Sequence, residues 1–246
     1  MEFNSYNRIE NVKKAIKDKD TETVNLSKRN LKEWIQKCID FDPFAVYRVE
    51  SGRILFRGRI YKETDQFERW DKYDISEEQP FRGYGKAESF VNNNLSEIKG
   101  NRCNYEGEQC LYVSEKKETC YVELRPQANT LISLAEIVVV KPLNILDFSS
   151  SGATGDTMEM ADFFLALNSE MNRPVYSSED GYRFTQFVTE CVKELGFDGI
   201  RYSSAFNMLT MKDRGKNIAI FNFEKCEAHS SELVLVKSID VNVEYK

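Results

Sequence analysis

Residues 100–124 read GNRCNYEGEQCLYVSEKKETCYVEL, and loop, strand, turn and helix follow one another within them. Gly100-Asn101-Arg102-Cys103-Asn104-Tyr105-Glu106-Gly107 has the composition of a loop that presents backbone N–H groups and a guanidinium to an anion. Residues 109–114 (QCLYVS) read as a short strand with Tyr112 near its end. Residues 115–124 read as a helix that stops before Pro126. Glu123 lies in an amphipathic stretch of that helix and can point inward, where a carboxylate is costly unless it is paired or functional.

Working outward, residues 9–19 and 29–39 carry apolar side chains at helical spacing, Leu31, Trp34, Ile35 and Cys38 in the second. Asp42-Pro43 marks a turn after them, so residues 1–45 are expected to form a helical extension and 46–246 the main domain. Residues 54–61 (ILFRGRIY) read as a strand, 67–81 as a polar loop and 87–98 as a helix. Residues 132–140 read as a strand, continued by 143–148 after Pro142, and 149–156 as a Gly/Ser-rich loop. Helices follow at 158–171 and 182–195, the latter with Gly196 at its C′ position. Short strands are expected at 199–204, 217–223 and 233–239. Strands and helices mix without regular βαβ alternation, so the fold class is α+β, with central short-stranded sheets flanked by helices.

Composition narrows the chemistry. The 246 residues are 41% hydrophobic with 16 Phe and 12 Tyr, enough for a sizeable core. A net charge of −6 supplies no basic footprint for nucleic acid, though a local basic pocket for a small anion remains open. No segment has the length and apolarity of a membrane span; Ile132 to Leu146 is interrupted by Glu136 and Lys141. The first twenty residues lack the apolar stretch of a signal peptide, so a cytoplasmic location with reduced cysteines is expected. The six cysteines include no C-x-x-C pair, and no zinc-ligand spacing is visible; no metal is expected. The single histidine, His229, sits in a polar stretch that reads as a solvated loop. Any enzyme here would work with carboxylates, arginines, hydroxyls and binding energy.

Three further segments carry candidate groups. Phe56-Arg57-Gly58-Arg59 places arginines in an apolar strand, with Arg57 and Arg59 on one face. Tyr202-Ser203-Ser204 puts small hydroxyls at a strand end, and Gly215-Lys216-Asn217 opens the next strand. Taken singly, these segments and the loop and helix of residues 100–124 fit ordinary roles: a solvated sheet face for Arg57 and Arg59, a plain turn for the loop, a helix-surface position for Glu123 and a strand cap for the serines.

Their order and spacing resemble the RES-domain family. That family has an F/Y-R strand, a G-G-R-W-N loop, L-Y-x-A/S, a glutamate in the next helix, G-I-x-Y-P-S and an N-x-x-x-F strand. Phe56-Arg57 matches the first element, and Gly100-Asn101-Arg102-Cys103-Asn104 the loop. Tyr112 and Glu123 fall at the expected intervals after Arg102, and Ser204 stands at the family serine. Tyr182 and Thr185-Gln186 match the preceding helix. Asn101, Cys103 and Ser203 depart from the pattern. The resemblance spans roughly residues 50–225 and leaves 1–45 outside.

The resemblance implies a compact domain like that of ADP-ribosyltransferases and an enzyme that breaks the nicotinamide–ribose bond of NAD+, with water or phosphate as acceptor. It names Glu123, Arg102 and Tyr112 as catalytic, and Arg57, Asn104, Ser203 and Ser204 as binders of NAD+ or phosphate. Glu123 would stabilise an oxocarbenium-like ribose, and Arg102 would pair with the pyrophosphate. Arg57 would grip a second phosphate or inorganic phosphate. Tyr112 would stack on the nicotinamide or the adenine, and Ser204 would reach phosphate or ribose. NAD+ is substrate rather than cofactor, so no cofactor is expected. Family members often act as toxins held by a partner, so an antitoxin or immunity protein is an implied partner, and homo-oligomerisation is open. Alternatives are ADP-ribosyl transfer to a protein at the same site, or an inactive nucleotide-binding module. Residues 1–45 would cover the pocket, mediate oligomerisation, or extend the core.

Overall fold

The computed structural model describes residues 5–62, 80–149, 158–173, 179–205 and 215–239. Two helices open the chain. In α1 (Ser5–Asp18) the stripe Ile9, Val12 and Ala15 is buried. α2 (Thr21–Phe41) is N-capped by Asp20, whose carboxylate accepts the Thr23 N–H at 2.9 Å, and it buries Leu31, Ile35 and Cys38. Both start earlier than expected because their first turns are polar.

The strands are β1 (Val46–Val49), β2 (Ile54–Ile60), β3 (Leu111–Ser114), β4 (Leu131–Val139), β5 (Leu143–Asp147), β6 (Gly199–Ser203), β7 (Lys216–Ile220) and β8 (Cys226–Leu235). They form one sheet in the order β1-β5-β6-β7-β3-β2-β4-β8. The β5–β6 pair is parallel and the others are antiparallel. Between strands lie α3 (Lys117–Leu124), α4 (Met158–Asn172) and α5 (Arg183–Glu194). A mixed sheet with separate helices is an α+β fold.

Both faces of the sheet are covered, which is why its central strands read as nearly continuous apolar runs. On one face Ile200 and Ala219 pack with Leu31, Ile35, Phe163, Leu167, Val188 and Val192 from α2, α4 and α5. On the other, Leu55, Val113, Ile137, Ile145 and Ile218 pack with Val91, Phe81 and Phe90. α1 and α2 lie against α4 and α5 and contribute to the first core. The edge of β8 is shielded by residues 80–82, since Ser231 N–H donates to the Pro80 carbonyl at 2.9 Å and Arg82 N–H to the Ser231 carbonyl at 2.7 Å.

Several expectations are corrected. Residues 87–98 form no α-helix; a hydrogen-bonded turn ends at Phe90, and the 3-10 turn Leu95–Glu97 follows. The run Asn92-Asn93-Asn94 diverts the backbone, with Asn94 N–H on Asn92 Oδ1 at 2.9 Å and Ser96 Oγ on Asn94 Oδ1 at 2.8 Å. β5 does not continue β4: β4 lies between β2 and β8, whereas β5 lies between β1 and β6. The last strand begins at Cys226, so His229 sits exposed on β8 rather than in a loop. β1 was not anticipated, and β7 ends at Ile220. The expected loops fall largely outside the described residues, at 67–79 and 150–156.

Candidate active site

One row of side chains crosses four strands. Tyr202 opposes Asn217, Asn217 opposes Ser114, and Ser114 opposes Phe56. Directly opposed residues share a face, and all four border a cavity of about 380 Å³. β3 meets β2 only at the Phe56–Ser114 pair. α3 packs beside that junction, and Gly58 leaves it room: a Cβ there would lie 2.9 Å from Leu124 Cδ1 and 3.2 Å from Cys120 Cβ. This brings Glu123 to the cavity wall.

Glu123 is oriented rather than free. Asn217 Nδ2 donates to its Oε1 at 2.5 Å, and Ser114 Oγ donates to Asn217 Oδ1 at 2.6 Å. Arg102, also on the cavity wall, donates from Nη1 to the Glu170 carbonyl at 3.3 Å and from Nη2 to the Arg173 carbonyl at 3.1 Å. These carbonyls belong to the C-terminal end of α4, where unpaired acceptors and the negative end of the helix dipole attract a cation. The Tyr182 and Tyr202 rings lie 5.5 and 5.9 Å from the guanidinium.

The loop carrying Arg102 is fixed from behind. Asn101 N–H bonds the Asn104 carbonyl at 2.9 Å. Gln186 Nε2, from α5, donates to the carbonyls of Asn101 and Asn104, both at 2.9 Å. The Tyr112 hydroxyl accepts Cys103 N–H and donates to Asn104 Oδ1, both at 2.8 Å. Burial pushes the hydroxyls of Tyr112 and Tyr202 well above the usual phenol range, so both stay protonated at neutral pH. Burial likewise pushes the Cys120 thiol up to about 11, so it is no thiolate nucleophile.

Arg57 also borders the cavity. Its Nη1 is shut off from solvent and has no hydrogen-bond partner among the described residues. Burial first, and then the neighbouring Arg59, lower its pKa to about 10, which still leaves it charged at neutral pH. A buried guanidinium N–H without an acceptor calls for an anion or a water. Arg59 turns away, stacking on Tyr84 at 4.8 Å.

Arg57, Arg102, Tyr112 and Glu123 therefore meet around one cavity. Three other anticipated residues are not among its described walls. Asn104 is buried, and its amide Nδ2 is taken up by the carbonyls of Lys99 at 3.1 Å and Tyr105 at 2.9 Å. Ser203 Oγ is held by Lys216 Nζ at 3.0 Å and Asn168 Nδ2 at 3.4 Å. Ser204 is buried, with its N–H on the Gly215 carbonyl at 2.8 Å. Sequence reasoning gave no role to Ser114, Asn217, Tyr182 or Tyr202; Asn217 opened the N-x-x-x-F strand, the one signal available for it.

Two guanidinium groups and an oriented carboxylate around one cavity suit a small molecule that carries both anionic and hydroxyl or cationic groups. The family model of the RES domain matches residues 72–243. The chain belongs to the RES-domain family. α1, α2 and Arg57 lie before the matched span. No curated protein matches the sequence. Among solved structures, the chain is similar to one in the M. tuberculosis MbcT–MbcA toxin–antitoxin complex, with 13% identity, a TM-score of 0.46, and coverage of 83% of this chain and 92% of that one. No helix among the described residues is long and apolar enough to cross a membrane.

Proposed function

We propose that the protein degrades NAD+ by cleaving its nicotinamide–ribose bond. The observation that carries this reading is Glu123, its carboxylate oriented by Asn217 in a cavity also bordered by Arg57 and Arg102. Nicotinamide leaves as a neutral molecule from a cationic linkage, so no general acid has to protonate it, and a site without histidine suits the reaction. Charge develops on the ribose as an oxocarbenium-like species. Glu123 would face that charge, and a preorganised contact of this kind is worth about 3–4 kcal/mol of barrier.

The guanidiniums would hold the pyrophosphate, and Arg57 has a donor unused among the described residues. Tyr112, Tyr182 and Tyr202 offer ring faces or edges to a base. Water, inorganic phosphate or a protein side chain would take the ADP-ribosyl group. The family resemblance also brings a neutralising partner protein into the proposal, and co-purification after expression with neighbouring genes tests it.

The deciding experiment is nicotinamide release from NAD+, with and without phosphate, by the wild type and Glu123→Gln. The variant keeps the side-chain shape and should lose roughly 10²–10³ in kcat. Turnover by the variant at the wild-type rate would remove Glu123 from the reaction. Label from NAD+ appearing on protein would move the assignment to ADP-ribosyl transfer.

A further inference from the structure

Arg102 depends on a helix end, and that helix end is itself held by a part of the chain that precedes the family match. The carbonyls that grip Arg102 belong to Glu170 and Arg173. The side chain of the same Glu170 accepts Lys13 Nζ of α1 at 2.8 Å, a contact 157 residues apart in sequence. Lys13 Nζ also lies 5.5 Å from the Phe184 ring at the start of α5, and Glu10 holds it from its own helix at 3.0 Å. The pair is about three-quarters shielded, with side-chain exposures of 24% and 21%. It therefore holds a fixed geometry better than a solvated surface pair. The two helices also share the first apolar core, through Ile9 and Val12 on α1 and Leu167 and Met171 on α4.

α2 repeats the arrangement on the other support of the loop. Lys28 bridges Glu190 at 3.0 Å and also pairs with Glu194, and Lys32 reaches Glu194 at 2.8 Å, all onto α5. α5 carries Gln186, which holds the backbone at Asn101 and Asn104, and Lys193, which pairs with Glu108 just beyond the loop.

We infer that α1 and α2 form a brace that sets the position of Arg102, with Lys13 acting through Glu170 as a positioning residue for the anion-binding guanidinium. The inference rests on the reading of the cavity as an NAD+ site. A guanidinium that binds the pyrophosphate in ground and transition states alike contributes uniform binding, so loosening it raises KM and spares kcat.

The test uses Lys13→Met, which keeps the aliphatic stem, with Glu170→Gln as a second variant and Lys13→Arg as the conservative one. Expected for the first two is a rise in KM for NAD+ of about fivefold with kcat within about twofold. Backbone hydrogen exchange in residues 100–108 of the ligand-free protein should accelerate, with exchange in β4 unchanged. Lys13→Arg should return both readouts to wild type. Unchanged KM and unchanged loop exchange in both charge-removing variants would overturn the inference, even if melting temperature fell, because that is what a merely structural brace produces. A wild type that leaves NAD+ intact would sink the reading of the cavity, and the exchange measurement would still decide the brace.

Discussion

Asn217 shows how one amide sets a carboxylate. Its Oδ1 accepts from Ser114 and its Nδ2 donates to Glu123, so the amide cannot flip without breaking both bonds. Removing it leaves Glu123 free to rotate and Ser114 Oγ without its acceptor. Asn217→Ala is expected to lower kcat about 10–100-fold, the range seen when an orienting partner is lost. It should also cost about 1–3 kcal/mol of stability for the interrupted buried bonds. Steady-state nicotinamide release and urea unfolding check the two; an unchanged kcat would show that Glu123 needs no partner. Arg102, Tyr112 and Glu123 were legible in the sequence because their spacing is a pattern along the chain. Asn217 became meaningful only through its cross-strand neighbours, which sequence does not display. Asn104 and Ser203 lie off the described cavity walls, and the partners of their polar groups are also invisible along the chain: Asn104 closes the loop on Tyr112, and Ser203 meets Asn168 and Lys216.

At the scale of elements, the close approach of β6 to β7 depends on a missing side chain. A Cβ at Gly199 would lie 2.4 Å from the Ala219 carbonyl oxygen, a backbone atom that cannot swing aside, and 2.9 Å from Ile145 Cδ1. Gly199→Ala is therefore expected to destabilise by about 1–3 kcal/mol, as overpacking does. It should also shift β6 and with it Tyr202, so the urea midpoint and NAD+ affinity should fall together. A variant as stable as wild type would mean that the two strands separate at no cost. Elements were legible where an apolar stripe repeats, as in α5, or where strands are buried on both faces, as in β4 and β7. They were missed where the deciding signal is polar. α2 begins at an Asp20 cap that precedes its first buried residue, Leu31, by three turns. The Asn run at 92–94 breaks a stretch whose apolar spacing suits a helix. β5 could not be separated from β4 as a partner, because Pro142 marks a break without saying how far the chain travels after it.

For the molecule as a whole, Asp198 joins the two halves of the sheet and makes stability sensitive to acid. Its carboxylate accepts Asn144 N–H at 2.8 Å, Asn222 Nδ2 at 2.5 Å and Lys225 Nζ at 2.7 Å, linking the starts of β5 and β8 to the turn before β6. Burial alone would raise its pKa. The Lys225 ammonium and the two N–H donors outweigh that and hold it below the ordinary aspartate value of 3.8. A carboxyl whose pKa is lower folded than unfolded stabilises the native state fully above the unfolded value. That contribution drains away as pH falls from about 4 through the folded value. Asp198→Asn keeps the shape but loses the ion pair, and should cost about 2–4 kcal/mol at pH 7. The stability difference between wild type and variant is expected to stay constant from about pH 7 to 5 and to shrink below about pH 4, where the wild-type carboxyl protonates as well. Urea unfolding of both proteins across that range isolates this one group from the other carboxylates. A difference that stayed flat down to about pH 3 would mean that Asp198 holds the sheet through its neutral hydrogen bonds, with its charge contributing nothing.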